Sequence, residues 1–308
     1  MRAAGQSINS SQLFGVFDGH GVNGHHVSAF VSHTYPQNFQ NALQEGQQPK
    51  QGVNDGIAQN EENAMRIAFR QTLEDLLHRR PVIECNYSGT TAVVLHIKED
   101  ALICANLGDS RAVLATRRNK GEPLNFKRES FVHNEDLTTW LCHPLSKDHK
   151  PNDPIEQQRI QLSGGRVAPY CEVNPVTGSR HYIGPARIYV KHGDYPGLAM
   201  SRSLGDMVAH SVGASADPDI YRKQRNQEQD KFVIIASDGV WEFVSSEEAI
   251  KIVIPFWHKG NPTQACEELT KLAVERWNRE ESGGSVDDIT CIVIFLSHPS
   301  VFATLTEQ

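Results

Sequence analysis

Long apolar runs are missing from this chain of 308 residues. No stretch approaches the ~20 consecutive apolar residues that a helix needs to cross a bilayer. The first six residues, MRAAGQ, also lack the apolar core of a secretory signal. We therefore expect a protein without a transmembrane segment, placed in the cytoplasm or the nucleus.

Paired cysteines are missing as well. None of the six cysteines forms a CxxC pair, and four of them lie in or beside apolar segments, where buried free thiols are expected. No cysteine has the HCxxxxxR setting of a cysteine phosphatase, and no serine has the surroundings of a hydrolase nucleophile. His25 and His26 lack partners at zinc-site spacing. A covalent enzyme and a zinc site are both disfavoured.

The charge balance excludes further classes. The chain has 30 basic and 37 acidic residues, a formal net charge of -7, and a pI near 6.1. It has no GxxxxGK[ST] loop and no GxGxxG after a strand, so it lacks the common phosphate-binding loops. A nucleic-acid partner is disfavoured because no basic excess exists to track phosphates. Hydrophobic residues make up 39% of the chain, which is enough to fill a core.

Strands and helices are both indicated. Short apolar runs at 13–17, 90–97, 101–107, 111–116, 232–236 and 291–296 predict strands, and the three from 90 to 116 are typical of an antiparallel meander. An apolar stripe from Met65 to Leu77 predicts a helix. Asp153-Pro154 and Ser245 with Glu248 mark two helix starts. We expect one α+β domain over 1–308, with polar surface insertions at 117–145 and 167–196.

Aspartates repeatedly follow or precede the apolar runs. Asp18, Asp109 and Asp238 each come at the end of a run, and Asp287 immediately precedes the last one. Several carboxylates in one cleft repel one another unless cations neutralise them. Oxygen-only ligands suit Mg²⁺ or Mn²⁺, and the chemistry indicated is metal-assisted hydrolysis or phosphoryl transfer.

Each residue also has a plainer interpretation. Asp-Gly is a common turn, and 108–111 would make a good hairpin turn around Asp109. His20, two residues after Asp18, has an ordinary pKa near ~6.5 that would let it donate a proton to a leaving oxygen, but it is one of fourteen histidines. The sequence alone leaves these alternatives open.

The segment at 14–21, FGVFDGHG, resembles the DGHG signature of the PP2C-like (PPM) metal-dependent protein phosphatases. Other segments are similar to that family's motifs and follow in the same order: SGTTA at 88–92, NLGDSR at 106–111, DHKP at 148–151, GGRV at 164–167, LAMSRSLGD at 198–206, ASDGVW at 236–241 and DDIT at 287–290. The resemblance spans about 13–296.

The resemblance implies a β-sandwich of two antiparallel sheets flanked by helices, in α-β-β-α layers, with a cleft for two Mg²⁺ or Mn²⁺ ions. By this likeness Asp18 bridges both metals and the Gly19 carbonyl is a further ligand. Asp238 and Asp287 are similar to the remaining ligands of one metal. Asp109 is similar to a contributor to a third, weaker metal position.

The resemblance also implies the chemistry. His20 is similar to the family's general acid, which protonates the serine or threonine leaving oxygen, and a metal-bridged hydroxide attacks phosphorus. Thr91 would assist through its hydroxyl. An equally good interpretation is that Thr91 is a β-branched strand residue with no part in the reaction. The insertion at 167–196 corresponds to the flap beside the cleft. The expected partners are phosphoserine and phosphothreonine proteins, and the expected state is a monomer.

One departure from the family separates two hypotheses. The family's N-terminal strand carries an Arg and a Glu-Asp pair. The twelve residues before Leu13 contain one arginine, Arg2, and no Asp or Glu. This element is expected to be missing, which predicts weak or absent turnover for this chain. A protein phosphatase is thus the leading hypothesis, and a PP2C-like pseudophosphatase that binds or scaffolds is the second. A third hypothesis, a metal-dependent phosphodiesterase or nuclease, is supported only by the cluster of aspartates.

Overall fold

The computed structural model describes residues 2–8, 11–47, 61–80, 82–122, 128–135, 137–280 and 286–297. The strands in chain order are β1 (Arg2–Ile8), β2 (Ser11–Phe17), β3 (Gly19–His20), β4 (Gly89–Thr90), β5 (Ala92–Ile97), β6 (Ala101–Leu107), β7 (Arg111–Asn119), β8 (Ser130–Asn134), β9 (Thr138–Pro144), β10 (Gly165–Val173), β11 (Arg180–Val190), β12 (Pro196–Leu198), β13 (Leu204–Gly205), β14 (Asp219–Gln224), β15 (Asp230–Ala236) and β16 (Cys291–Phe295). The helices are α1 (Gly24–Gln47), α2 (Glu61–His78), α3 (Pro154–Leu162), α4 (Met207–His210), α5 (Asp238–Trp241), α6 (Ser246–His258) and α7 (Pro262–Glu280).

Two five-stranded antiparallel sheets form the centre of the molecule. Their strand orders are β1-β2-β5-β6-β14 and β16-β15-β7-β9-β8. Apolar side chains from both sheets, such as Leu95 and Leu114, meet between them in one buried cluster. Each such fully buried aliphatic side chain stabilises the fold by about 1.5–3 kcal/mol.

Helices cover the outer faces of the sandwich. The first sheet packs against α1 and α2 through a cluster that includes Phe39 and Phe69. The second packs against α6 and α7 through one that includes Trp140 and Leu269. The layers are therefore α-β-β-α, which confirms the α+β fold expected from the sequence. No helix among the described residues is long and apolar enough to span a membrane.

The predicted helix starts are confirmed. The Asp153 carboxylate accepts a hydrogen bond from the Ile155 backbone N–H at 3.1 Å at the start of α3. The Ser245 hydroxyl accepts one from the Glu248 backbone N–H at 3.2 Å at the start of α6. Side-chain acceptors at these positions satisfy backbone donors that the first helical turn leaves free.

Two sequence predictions were wrong. The runs at 101–107 and 111–116 do not form a hairpin, because β6 lies in the first sheet and β7 in the second, so residues 108–110 cross between the sheets. The segment at 117–145 is not a surface insertion, because it forms β8 and β9 of the second sheet. Trp140, Leu141 and Cys142 of β9 are buried there. Their apolar stretch is too short to stand out in a polar sequence.

A third prediction, that the N-terminal strand is missing, was also wrong, because β1 pairs with β2 along its whole length, from Arg2 opposite Phe17 to Ile8 opposite Ser11. Its sequence has too few large apolar residues to indicate a strand. The β1 sequence, RAAGQSI, contains no Asp or Glu. The segment at 167–196 forms the antiparallel pair β10 and β11, with β12 beside β11. Most residues between 170 and 186 are exposed.

Candidate active site

The topology brings the ends of several strands to one edge of the sandwich. β5 lies between β2 and β6 and is antiparallel to both, so the C-terminal ends of β2 and β6 lie on either side of the start of β5. Asp18 follows β2 directly, and its carbonyl accepts a hydrogen bond from the Thr91 backbone N–H at 2.9 Å. The Thr91 hydroxyl accepts one from the Asp18 N–H at 3.1 Å and lies 2.7 Å from the Ser110 hydroxyl. Asp109 is therefore held next to the Asp18 turn.

The second sheet contributes at the same edge. Ala236, the last residue of β15, lies opposite both Arg111 of β7 and Cys291 of β16. Ser237 then bonds to the segment before β16, because its N–H donates to the Thr290 carbonyl at 3.1 Å and its hydroxyl to the Asp288 carbonyl at 3.3 Å. Asp238 and its neighbouring acid Asp287 thereby approach the acids of the first sheet.

The pKa values of these acids are raised by burial and by the neighbouring carboxylates. Burial, and then the charge and hydrogen bond of Asp238, raise the pKa of Asp18 from 3.8 to about 9. Burial raises the pKa of Asp238 to about 7, and the charges of Asp109 and Asp287 act in the same direction. Burial also raises the pKa of Asp287. Without a cation these groups hold protons that ordinary carboxyls would lose.

These acids fit a hard cation. Within the described ranges, no three His, Cys, Asp or Glu side chains close into a ready-made metal cage. Mg²⁺ retains several waters, so its carboxylates need not close around it. Oδ1 of Asp109 and Oδ1 of Asp238 are buried without a hydrogen-bond partner among the described residues. A cation near these oxygens would satisfy both and would offset the repulsion that raises the pKa values.

Asp109 has a second contact that its sequence position did not indicate. Lys150 Nζ lies 2.6 Å from Asp109 Oδ2, and the Asp109 side chain is almost fully buried. Burial alone would lower the pKa of Lys150, but the charge and hydrogen bond of Asp109 leave it raised. The site therefore holds one ammonium charge within a group of carboxylates. The hairpin-turn interpretation of Asp109 is wrong, since β6 and β7 do not pair.

His20 lies on the same edge and contacts Asp206. Its Nε2 is 2.6 Å from Asp206 Oδ2, which also accepts a 2.6 Å hydrogen bond from the Ser203 hydroxyl. Gly89 allows this approach, because a Cβ at that position would lie 2.0 Å from Asp206 Oδ2. Burial alone would lower the pKa of His20, but the charge and hydrogen bond of Asp206, followed by the charge of Asp109, leave it raised.

The structure brings most of the sequence-predicted residues together. Asp18, Asp109, Asp238 and Asp287 interact electrostatically. Gly19 lies in β3 opposite Thr90, between Asp18 and His20 in sequence. The roles assigned to these residues stay predictions, because geometry shows their positions and not their ligands.

Sequence reasoning missed Lys150, Ser203 and Asp206. All three lie in the segments DHKP and LAMSRSLGD, whose likeness to the family had been noted without a role for these residues. The contacts of Lys150 with Asp109 and of Asp206 with His20 join residues 41 and 186 positions apart and leave no local signal. Ser203 bonds to Asp206 only three positions away, but its role follows from the distant contact of Asp206.

The chain is similar in sequence to known proteins. The family model described as "Protein phosphatase 2C" matches residues 2–282. "Probable protein phosphatase 2C 72" of Arabidopsis thaliana is 33% identical over 96% of this chain and 79% of its own length. "Probable protein phosphatase 2C 73" of Oryza sativa subsp. japonica is 32% identical over 94% of this chain and 66% of its own length.

Among solved structures, a serine-threonine phosphatase 2C from Toxoplasma gondii has a TM-score of 0.68 at 21% identity, over 94% of this chain and 85% of that chain. At that identity the structural likeness supports the fold alone. The family assignment rests on the sequence matches, which cover nearly the whole chain. This chain belongs to the protein phosphatase 2C family.

Proposed function

We propose that this chain is a Mg²⁺- or Mn²⁺-dependent protein serine/threonine phosphatase that removes phosphate from phosphoserine and phosphothreonine. The observation that carries the proposal is the meeting of Asp18, Asp238 and Asp287 at one edge of the sandwich, with burial and mutual repulsion raising their pKa values. A protein gains little stability from such a cluster unless cations bind to it. Family membership makes phosphoprotein dephosphorylation the reaction to test.

In this proposal Asp18 would contribute to both of two cation positions, and the Gly19 carbonyl would be a further ligand. Asp238 and Asp287 complete one of them, and Asp109 contributes to a third and weaker one. When bound, Mg²⁺ or Mn²⁺ supplies Lewis-acid chemistry that activates water and offsets the charge on a phosphoryl group. Lys150 pairs with Asp109 at 2.6 Å and offsets part of the negative charge at that position.

His20 is the residue we assign to protonate the leaving serine or threonine oxygen. Its Nε2 is hydrogen-bonded to Asp206, and its Nδ1 is buried without a hydrogen-bond partner among the described residues. Nδ1 is thus the nitrogen left to hold and deliver a proton. Asp206 fixes the ring and favours its protonated form, which a general acid needs before the reaction.

The direct experiment is phosphate release from a phosphothreonine peptide in Mn²⁺, with and without a chelator. We expect turnover in Mn²⁺ and its loss on chelation. Asp18→Asn should also remove turnover, whereas Asp100→Asn, in the turn at the opposite end of β5 and β6, should leave it intact. Turnover that survives chelation or the loss of Asp18 would contradict the proposal.

A catalytically impaired binding module is the second candidate. It is favoured by the β1 sequence, which has no Asp or Glu to support a second cation. In this case Mn²⁺ would bind, as seen by calorimetry, but phosphate release would stay at background. Binding together with turnover would reject the second candidate, and binding without turnover would reject the first.

A further inference from the structure

Two cysteines lie together outside the acid cluster. Cys266 is in α7 and Cys291 begins β16, and both line one open groove of about 570 Å³ with Thr270 and Lys271. Both side chains are partly exposed. The other thiols have no such neighbour: Cys85, Cys104 and Cys142 are buried in separate places, and Cys171 is half-buried on β10.

The two thiols are in direct contact. The Cys291 thiol donates a hydrogen bond to the Cys266 carbonyl oxygen, which lies 3.7 Å from its Sγ. Each thiol also shifts the pKa of the other. The Thr270 hydroxyl lies 3.5 Å from the same Cys291 Sγ. Cys291 is therefore held against Cys266 by groups from one turn of α7.

The environment also makes one of the two thiols reactive. The hydrogen bond from Cys291 lowers the pKa of Cys266 to about 7, and the Val293 backbone acts in the same direction against the effect of burial. The thiolate is the form that attacks peroxides, and an ordinary thiol near pKa ~8.5 is mostly protonated at neutral pH. The same hydrogen bond raises the pKa of Cys291, so Cys291 stays a thiol beside it.

We propose that Cys266 and Cys291 form a peroxide-sensitive dithiol site that closes into a reversible disulfide between α7 and β16. The Cys266 thiolate attacks one oxygen of hydrogen peroxide, the O–O bond breaks, and Cys266 becomes a sulfenic acid as hydroxide leaves. The Cys291 sulfur then attacks the Cys266 sulfur, the S–O bond breaks, and water leaves with the Cys291 proton. In total two thiols are oxidised and one peroxide is reduced to two waters.

The oxidation itself uses none of the acids of the candidate active site, although Cys291 follows Asp287 by four positions. It needs no metal and no substrate, so its test can be run on metal-free protein. The disulfide would close a loop of 25 residues and tie the last helix to the edge strand of the second sheet. Oxidation should therefore raise the thermal midpoint Tm, by roughly 5 °C.

The test treats the full chain with hydrogen peroxide and maps its peptides without reduction. We expect the count of free thiols to fall by two, a peptide linking Cys266 to Cys291, and recovery of both thiols after dithiothreitol. The matched control Cys171→Ser should behave like the unchanged chain. Cys291→Ser should lose the linked peptide and the rise in Tm, leaving Cys266 to oxidise further to sulfinic acid.

Three outcomes would overturn the proposal. Both thiols could survive peroxide, Cys266 could become sulfinic acid in the unchanged chain without any link, or the linked peptides could join Cys171 to another cysteine. The unchanged chain and Cys171→Ser suffice for this decision if Cys291→Ser does not fold.

Discussion

The His20 imidazole and the Asp206 carboxylate form a 2.6 Å contact between residues 186 positions apart. Asp206 is itself held in place, because its backbone has a left-handed φ of 49° and its N–H donates to the Ser88 carbonyl at 3.0 Å. A left-handed conformation is costly for a residue with a side chain, so the surrounding structure must enforce it. We infer that Asp206 is a positioning residue for His20.

Replacing Asp206 by asparagine tests this role. Asp206 raises the pKa of His20, so Asp206→Asn should lower that pKa and shift the alkaline limb of the kcat profile to lower pH. We expect kcat near neutral pH to fall by about tenfold, with KM little changed. The measurement is the pH profile of kcat on a phosphopeptide, with Asp100→Asn as control. An unmoved alkaline limb would show that Asp206 has only a structural role.

The stability of the metal-free protein should depend on pH in a characteristic direction. The folded-state pKa values of Asp18, about 9, and Asp238, about 7, lie above the ordinary 3.8. From about pH 4 to pH 9 the unfolded chain has lost protons that the folded chain still holds, so stability falls as pH rises. We expect Tm in chelator to decrease across this window and Mn²⁺ to reverse the decrease. A Tm that stays flat or rises would contradict the repulsion described for these acids.

A buried ion network outside the site should be essential for stability. Glu156 accepts hydrogen bonds from Ser201 at 2.6 Å, Arg202 at 2.7 Å and Arg159 at 2.8 Å. Glu156→Gln would remove the counter-charge of Arg159 and one of the two carboxylate partners of Arg202, which keeps Asp219 at 2.8 Å. The free energy of unfolding should therefore fall by about 2 kcal/mol. Urea denaturation measures this free energy. As a control, Glu74→Gln on the exposed face of α2 should change the free energy of unfolding by less than about 0.5 kcal/mol. Equal effects of the two changes would contradict this account.

The exposed hairpin of β10 and β11 should contact phosphoprotein substrates, and so lower their KM, without affecting the KM of small substrates. Tyr170 and Tyr182 lie on these strands and are about half exposed, at 52% and 57%. Removing an aromatic contact, as in Tyr182→Ser, should raise KM for a phosphoprotein by about tenfold. KM for a small aryl phosphate and Tm should not change. Phe131→Ser on β8, 54% exposed at the far edge of the second sheet, is the matched control. Equal KM changes for both substrates would reject this role.

Much of the fold could be predicted from local patterns. The apolar runs located the central strands, and capping residues such as Asp153 and Ser245 located the helix starts, because a cap is satisfied within one helical turn. β9 was missed because its buried residues, centred on Trp140, are few and are flanked by polar ones. The crossing after β6 was missed because a turn sequence does not reveal which sheet receives the next strand.

The candidate site was predictable only in part. Acids that follow buried strands, such as Asp18 and Asp238, could be recognised because the strand and the turn are both local. The contacts of Lys150 with Asp109 and of Asp206 with His20 arise only after the chain folds. The likeness to the family named the segments that hold them but did not state these contacts.

The most direct test of the central claim, that the acid cluster holds the cations needed for dephosphorylation, is Asp238→Asn. Mn²⁺ binding by calorimetry and phosphate release from a phosphothreonine peptide are measured on the same sample, beside Asp100→Asn. We predict that Asp238→Asn folds with an unchanged or higher Tm in chelator, binds Mn²⁺ more weakly, and loses at least about 100-fold in turnover. Unchanged Mn²⁺ binding and turnover in Asp238→Asn would contradict the claim.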